Sequence, residues 1–512
     1  MLERLSVVRD YHARTKHHLD HYAAGPDTLD WDAQPNPFRH WTGPNPVELP
    51  RSADTVETEW DDLNTDRPAK PRTLESVGTL LRQCAAISAW KAYRDAKWAL
   101  RVCPSSGNLH PTEAYIIARG VTGLADGLYH YQSEHHCLEM RARELREGGV
   151  PGLWLGFSSI HWREAWKYGE RAFRYCQLDL GHMLAAVSYA AALLGWRPNL
   201  LPMDGDAVAA CLGLDRVADF TGVEPEEPEV ILCLSSSDAN ASPPSDWGYW
   251  QGLPSLLDPS PMYQWPVIEA VAQATRGALP EMPAPTRGPS PPSSGASVRA
   301  TEVILRRRSA QAFDAGSVMP RGTFRRIIAS LLPGGSPVWS LWPAPPRVHP
   351  LLLVHRVEGL APGVYALPRG DGAKSGLQSA MRDRFEWQRH GTLPLYQLIL
   401  ANSTNIARTL SCHQDIAAHG ALTFIMVAEY ADTLAMNPAA YRHLHWEAGM
   451  LGHIATLEAE AAGWRGTGIG CFFDDADHEM LGLLDDHYQV IYHYAIGVPV
   501  EDSRLTTLPA YG

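Results

Sequence analysis

The sequence predicts an α+β protein made of two tandem copies of one fold. Three observations predict it. First, "GLADGLYHY" and "GLAPGVYAL" keep one internal spacing, with Gly123, Gly127 and Tyr129 set against Gly359, Gly363 and Tyr365. Each follows a strand-like apolar run, "YIIARGV" or "LLLVHRV", so each reads as a strand entering a glycine turn. Second, "DLGHMLAAVSYAAALLGW" matches "EAGMLGHIATLEAEAAGW". Asp179, Gly181, Gly195 and Trp196 each lie 268 positions before Glu447, Gly449, Gly463 and Trp464. Both stretches are Ala/Leu-rich, carry a helical apolar period and end in glycine, which is a helix with its C-terminal stop. Third, the two matches occur in the same order on either side of a stretch rich in Pro, Ser and Gly, "LPEMPAPTRGPSPPSSGAS" (279–297), which cannot bury a core.

The elements follow in order. Residues 1–70 form an N-terminal extension outside the repeat. It is rich in Trp, Pro and His, as in "LDWDAQPNPFRHW", and is expected to pack over the first copy. The first copy spans 71–235, the Pro/Ser-rich linker 236–298 and the second copy 299–512. Gly127 to Asp179 covers 52 residues and Gly363 to Glu447 covers 84, so the second copy carries about 32 more there. Two copies of an ancestral dimer would pack as an intramolecular pseudo-dimer, as a monomer or as half of a further homodimer. Their sites would lie between the copies.

A length of 512 residues allows two to four domains. Hydrophobic residues make up 45% and charged residues 20%, the range of a globular protein with a sizeable core. The formal net charge of −13 argues against nucleic acid, whose binding needs a basic face. No apolar run is long enough for a membrane helix, and "MLERLSVVRDYH" lacks the apolar core of a signal peptide, so a cytoplasmic protein is expected. Eight scattered cysteines without a CxxC pair suit reduced thiols. No metal is expected: the 22 histidines include no HExxH. GxSxG and Walker loops are also missing, which removes the main support for a hydrolase or an NTPase.

Four stretches could carry chemistry. "RVCPSSGNLHPTEAY" (101–115) is loop chemistry set before an apolar strand, and it occurs once. "LRRRSAQAFD" (305–314) fits an anion site, because guanidinium forks bind phosphate bidentately, or a solvated basic helix end. "GWRGTGIGCFFDD" (463–475) fits close approach to a flat ligand, or a helix stop and turn. "REAWKYGERAFRYCQLD" (163–179) interleaves Arg163, Lys167, Arg171 and Arg174 with aromatic residues. It fits a Lys–Tyr proton-transfer pair at a pocket mouth, or a charged amphipathic helix.

Together, these stretches resemble the nitroreductase superfamily over most of 71–235 and 299–505. They are nearest its SagB/ThcOx-type branch, the FMN-dependent dehydrogenases of azol(in)e-containing peptide pathways. The resemblance implies FMN bound between the two copies. Arg307, Arg308 and Ser309 would take the phosphate and ribityl side, with Gln311 where the family often has a basic residue and Arg504 reaching the phosphate. Gly466 and Gly468 would approach the flavin ring, and Pro104, Ser105, Ser106 and Asn108 would face it. Tyr168 would accept a Cα proton, with Lys167 lowering its pKa and Arg171 orienting substrate or stabilising developing negative charge, while hydride leaves Cβ for flavin N5.

The first copy has the Pro-Ser loop without the Arg-Arg-Ser, and the second has the Arg-Arg-Ser with "WPAPPRVHP" in place of the loop. One site can therefore be assembled and its mirror cannot, so one FMN per chain is expected. The activity expected is desaturation of a heterocyclic or amino-acid- or peptide-derived substrate, with O2 as acceptor. The alternatives are an NAD(P)H-dependent nitro or quinone reductase and a non-catalytic scaffold in a biosynthetic complex.

Overall fold

The computed structural model describes residues 1–43, 45–51, 56–145, 149–235, 242–280, 291–293, 297–342 and 344–511. The first half builds a sheet from β3 (Thr112–Arg119), β4 (Gly127–Gln132), β5 (Cys137–Glu144), β6 (Gly152–Ser159), β7 (Arg197–Leu200) and β8 (Glu227–Ser235). It is preceded by the hairpin β1 (Ile87–Tyr93) and β2 (Ala96–Arg101). The second half builds its sheet from β9 (Val348–Val354), β10 (Gly363–Ala366), β11 (Tyr396–Leu400), β12 (Leu422–Glu429), β13 (Arg465–Ile469) and β14 (Tyr488–Gly497). The paths agree: β5-β4-β3-β6-β8-β7 in one and β11-β10-β9-β12-β14-β13 in the other, every pair antiparallel. The chain is thus α+β, with one strand plan used twice.

The matched turns have a shared physical cause. Ala118 pairs with Gly127, and Val354 pairs with Gly363, at the same end of each hairpin. The Tyr129 hydroxyl donates to the Ala125 carbonyl at 2.7 Å, and the Tyr365 hydroxyl donates to the Ala361 carbonyl at 2.8 Å. Each phenol ties off its own turn.

Two helices of 22 residues, α4 (Ala172–Leu193) and α6 (Ala440–Ala461), cross between the sheets. Gly181 and Gly449 make the crossing. A Cβ on Gly181 would collide with the Trp446 carbonyl, and one on Gly449 with the Leu178 carbonyl. Each glycine is needed because the other helix's main chain occupies the space. Both helices end in a left-handed glycine, Gly195 at φ +66° and Gly463 at φ +78°. Each stop is closed by a tryptophan N–H, Trp196 to Ala191 and Trp464 to Ala459, both at 2.9 Å.

Three expectations change. The extension does not pack on the first half alone. Its helix α1 (Leu2–Arg14) sends His12 to the Tyr441 hydroxyl and Gln489 of the second half, while the Tyr11 hydroxyl donates to the Glu170 carbonyl of the first. The span 236–298 is not linker throughout. Trp247–Gly248 adds an edge strand to β5, and the helix α5 (Pro266–Ala274) buries Ile268, Val271 and Ala272 at helical spacing. Residues 236–241, 281–290 and 294–296 of that span lie outside the described residues. Finally, Cys412 and Cys471 form a disulfide rather than remaining thiols; the fold brings together residues 59 apart in sequence. Among the described residues no helix is long and apolar enough to cross a membrane.

Candidate functional site

A cavity of about 770 Å³ opens where the halves meet, a size ordinary for small-molecule and cofactor sites. The first half contributes the loop after β2. Gly107, Asn108 and His110 all adopt positive φ (58°, 62° and 54°), which coils the loop tightly. Gly107 is required there: a Cβ would sit 2.6 Å from the Tyr168 hydroxyl. The coil is pinned from below. The Ser106 N–H and hydroxyl donate to the Asp179 carboxylate at 3.0 and 2.9 Å. The Asn108 amide donates to the Ala99 carbonyl at 2.9 Å, and the His110 N–H donates to the Ser105 hydroxyl at 2.8 Å. Pro104, Ser105, Ser106 and Asn108 therefore share one wall of the cavity. His110 also lines it, with Nε2 3.1 Å from the Asn108 amide oxygen, so its ring closes the turn.

The opposite wall comes from the second half. The chain leaving the helix Ala300–Arg306 carries Arg307, Arg308, Ser309 and Gln311 to the cavity. The guanidinium of Arg307 donates to the Val102 and Arg101 carbonyls at 2.7 and 2.9 Å, and that of Arg308 donates to the Ser88 hydroxyl at 3.0 Å. These arginines thus clasp the strands that lead into the Pro-Ser loop as well as lining the space. Arg308 is pulled down to about 10 by burial and by repulsion from Arg307 and Arg465. A cation crowded in this way favours a bound anion.

The remaining expected residues divide. Gly468 lines the cavity; its missing side chain leaves room for the Tyr492 hydroxyl. Gly466, two residues back on β13, makes the same room for Tyr494 and is not on the wall. Tyr168 is on the wall, at the end of α3 (His161–Tyr168). Its phenol is pushed well above its usual value by burial and by Glu164, the reverse of the expected lowering. Lys167 is not on the wall. Its Nζ lies 5.3 Å from the Tyr168 ring centroid and 5.5 Å from that of Trp31, and burial lowers its pKa.

Arg171 is withdrawn from the cavity altogether. It is buried, pairs with Asp474 at 2.9 Å and donates to the Thr15 carbonyl at 2.5 Å. A guanidinium spent on that pair has no free fork for substrate. Arg504 is also absent from the wall; its exposed side chain pairs with Asp502 at 2.7 Å, a near neighbour that satisfies it locally.

Several wall residues escaped the sequence reading. Asp179 served only as a repeat position, yet its carboxyl faces the cavity and is pushed up to about 7 by burial. Glu164, buried and not itself on the wall, is pushed well above the carboxylate range by burial and then by Asp179. Its spacing from Lys167 and Tyr168 on one helical turn was the available signal. Tyr175, His182, Tyr492 and Tyr494 complete an aromatic floor, and the last two alternate along β14, as residues on one face of a strand do.

No family model matches the chain. It is 26% identical over 161 residues to the nitroreductase-named protein MJ1384 of Methanocaldococcus jannaschii, across 29% of this chain and 79% of that protein. It is 30% identical over 143 residues to the trifolitoxin-processing protein TfxB of Rhizobium leguminosarum bv. trifolii, across 24% of this chain and 38% of TfxB. A crystal structure of a nitroreductase-named protein from Anabaena variabilis superposes with a TM-score of 0.71 at 23% identity, covering 96% of this chain and 99% of that one. The chain shares the fold of that structure from end to end.

Proposed function

We propose that the chain is an FMN-dependent oxidoreductase with one composite flavin site per chain, acting on a heterocyclic or peptide-derived substrate. The observation that carries the reading is the cavity at the seam, cationic on the wall from the second half and uncharged on the coiled loop from the first. The donor set fits FMN. Arg307, Arg308 and Ser309 would hold the phosphate end, and Pro104–Asn108 with Gly468 would border the ring. Bound FMN would supply a two-electron hydride acceptor or donor. The name of TfxB supports a peptide-derived substrate, and that of MJ1384 supports oxidoreductase chemistry.

The protein's own groups set the proton chemistry. The Tyr168 phenol stays protonated at neutral pH, so it can donate a hydrogen bond into the cavity. Asp179, titrating near 7, can hold or release a proton behind Ser106. Burial lowers the Lys167 pKa and so makes its amine easier to deprotonate. For desaturation, Lys167 or Asp179 would take up the proton that Tyr168 relays. A protonated Tyr168 equally favours the reverse direction, in which it gives its proton to a substrate receiving hydride. That observation keeps an NAD(P)H-dependent reductase as the second reading.

Flavin content after saturation with FMN and gel filtration tests the site: one equivalent per chain is expected, and two would refute the composite assignment. Tyr168→Phe should retain flavin and lose turnover of a thiazoline-bearing peptide. Rapid flavin bleaching by NAD(P)H would favour the reductase.

A further inference from the structure

The wall of the cavity is not made by the two halves alone. His17, from the N-terminal extension, is on it. The segment that carries His17 is strapped across the Tyr168 turn. Gly169 (φ +56°) lies directly under Ala24, whose carbonyl would collide with any Cβ there and accepts the Glu170 N–H at 3.0 Å. Arg14 pairs with Glu170 at 2.6 Å. The buried guanidiniums of Arg171 and Arg174 donate to the Thr15 and His12 carbonyls, both at 2.5 Å, and both pair with Asp474. Asp474 in turn accepts the His17 N–H at 2.9 Å, while its own N–H donates to the His17 carbonyl at 3.1 Å. The position of His17 is fixed on both sides by buried charge.

Its ring orientation is fixed as well. The Ala23 N–H donates to Nδ1 at 2.9 Å, so Nδ1 holds a lone pair and the proton sits on Nε2. Burial and the charge of Arg171 hold the ring neutral, with its pKa down to about 3. Nε2 has no protein partner among the described residues, which leaves an N–H donor free on a residue that lines the cavity. Gln414 stands on the same wall. Its amide N–H₂ donates to the Cys471 carbonyl at 3.4 Å, leaving its amide oxygen as an acceptor without a protein partner among the described residues. One fixed donor and one acceptor lining the same cavity match the C=O and N–H that a residue of an extended peptide turns to one side.

We propose that the N-terminal extension completes the substrate subsite, with His17 Nε2–H donating to a substrate carbonyl and Gln414 accepting a substrate amide N–H, so that the cavity selects amide-bearing substrates. The inference rests on the seam cavity being the reaction site, but not on flavin chemistry. The extension is then a specificity element rather than an appendage, and the arginine expected to orient substrate, Arg171, acts by holding His17's segment in place.

The test is calorimetric titration of the purified full chain with an N-acetyl dipeptide N-methylamide, beside the matched ester that lacks the amide N–H. The wild type should bind the amide. His17→Ala and Gln414→Ala should each weaken it about tenfold, the worth of one hydrogen bond in a shielded site. His17→Gln, which restores a donor, should recover part of the loss. The ester should bind more weakly than the amide and be indifferent to Gln414→Ala. Thermal melting of each variant separates lost contact from lost fold. FMN affinity, read by fluorescence quenching, should be the same in wild type and His17→Ala. Equal amide affinity in the wild type and both folded alanine variants, or no binding of the amide to the wild type, overturns the proposal. Failure of FMN to bind while the amide binds overturns the flavin reading instead.

Discussion

Asp179 and Glu447 occupy matched positions on the two crossing helices and end in opposite surroundings. Both carboxylates are buried, and both accept a main-chain N–H from the segment that leads into the central strand, Ser106 for one and Arg347 for the other. Asp179 receives only neutral donors besides, and open space begins above it. Glu447 receives the buried guanidinium of Arg369, which also donates to the Leu331 and Val348 carbonyls at 2.7 and 2.8 Å and lies 4.3 Å over the Trp339 ring. One strand plan therefore yields a carboxylate facing a cavity in one half and a carboxylate neutralised by the protein's own cation in the other. The difference teaches that one of two matched positions can be closed by filling: Arg369, itself over the Trp339 ring, pairs with Glu447 where Asp179 faces open space. The strand order and the crossing helices agree, so the asymmetry sits in these side chains together with the coiled Pro-Ser loop of the first half.

The largest effect should come from breaking the filled side. Arg369→Met removes the cation and leaves Glu447 buried and unpaired, which should cost about 3–5 kcal/mol in chemical denaturation. Flavin uptake per chain should not rise, because the second half has no equivalent of the coiled Pro-Ser loop. A neutral outcome would mean that the Arg369–Glu447 pair does not hold the second half together. Next in size is the shared feature. Gly181→Ala and Gly449→Ala each drive a methyl into the main chain of the partner helix, and each should cost about 1–3 kcal/mol. Equal losses would show that the crossing is symmetric in energy as well as in shape. A marked difference would place the asymmetry in the helices and not only in the side chains around them.

How much of this was legible in the sequence follows from the range of the interactions. The glycines at 181 and 449 and the tyrosines at 129 and 365 could be matched because their roles are local or reciprocal, and the same constraint leaves the same residue twice. The single Pro-Ser loop and the single Arg-Arg-Ser could be paired because each is a contiguous stretch. The role of Arg171 is hidden in the sequence because its partner, Asp474, lies 303 positions away, and spacing on one helix cannot reveal that a guanidinium is already taken. The Tyr168 phenol was expected to be acidified by its neighbour Lys167. The Lys167 Nζ does lie 5.3 Å from the Tyr168 ring centroid, but desolvation, which depends on the whole fold, wins. His17 carried no signal at all in "KHHLDH", since its place on the wall is set by Ala23 and Asp474 together.

A subtler way to sharpen the contrast uses pH. The Asp179 carboxyl has an ordinary value of 3.8 and is pushed up to about 7 in the folded chain. Between those values the folded state holds a proton that the unfolded state has released. Its contribution to stability is therefore fully present below about 4, falls as pH rises toward 7, and is level above that. Asp179→Asn keeps an acceptor for Ser106 and cannot ionise. Relative to wild type it should be more stable at pH 8, and the gap should close toward pH 4, as read by urea denaturation across that range. Glu447→Gln should behave in the opposite way, losing stability at pH 8, because it discards the partner of Arg369. If both substitutions shift stability in the same direction at pH 8, the two carboxylates are not in the opposed states described here.

The smallest effect concerns the boundary of the cationic wall. Arg308 is largely buried against the first half and crowded by Arg307 and Arg465. Arg504, two residues before the short strand Thr506–Leu508, is exposed and bonded at both ends of its fork to Asp502. A surface pair of this kind holds its own charge in water and contributes little to anything nearby. Arg504→Ala should leave the affinity for FMN unchanged, and for free phosphate as well, across a salt titration, because the Asp502 carboxylate already cancels the field that a phosphate would feel. A clear loss of affinity with Arg504→Ala, growing at low ionic strength, would mean that the arginine exchanges Asp502 for the ligand on binding. The cationic wall would then include Arg504, and the contrast between the open and filled halves would rest on one more residue than the cavity lining contains.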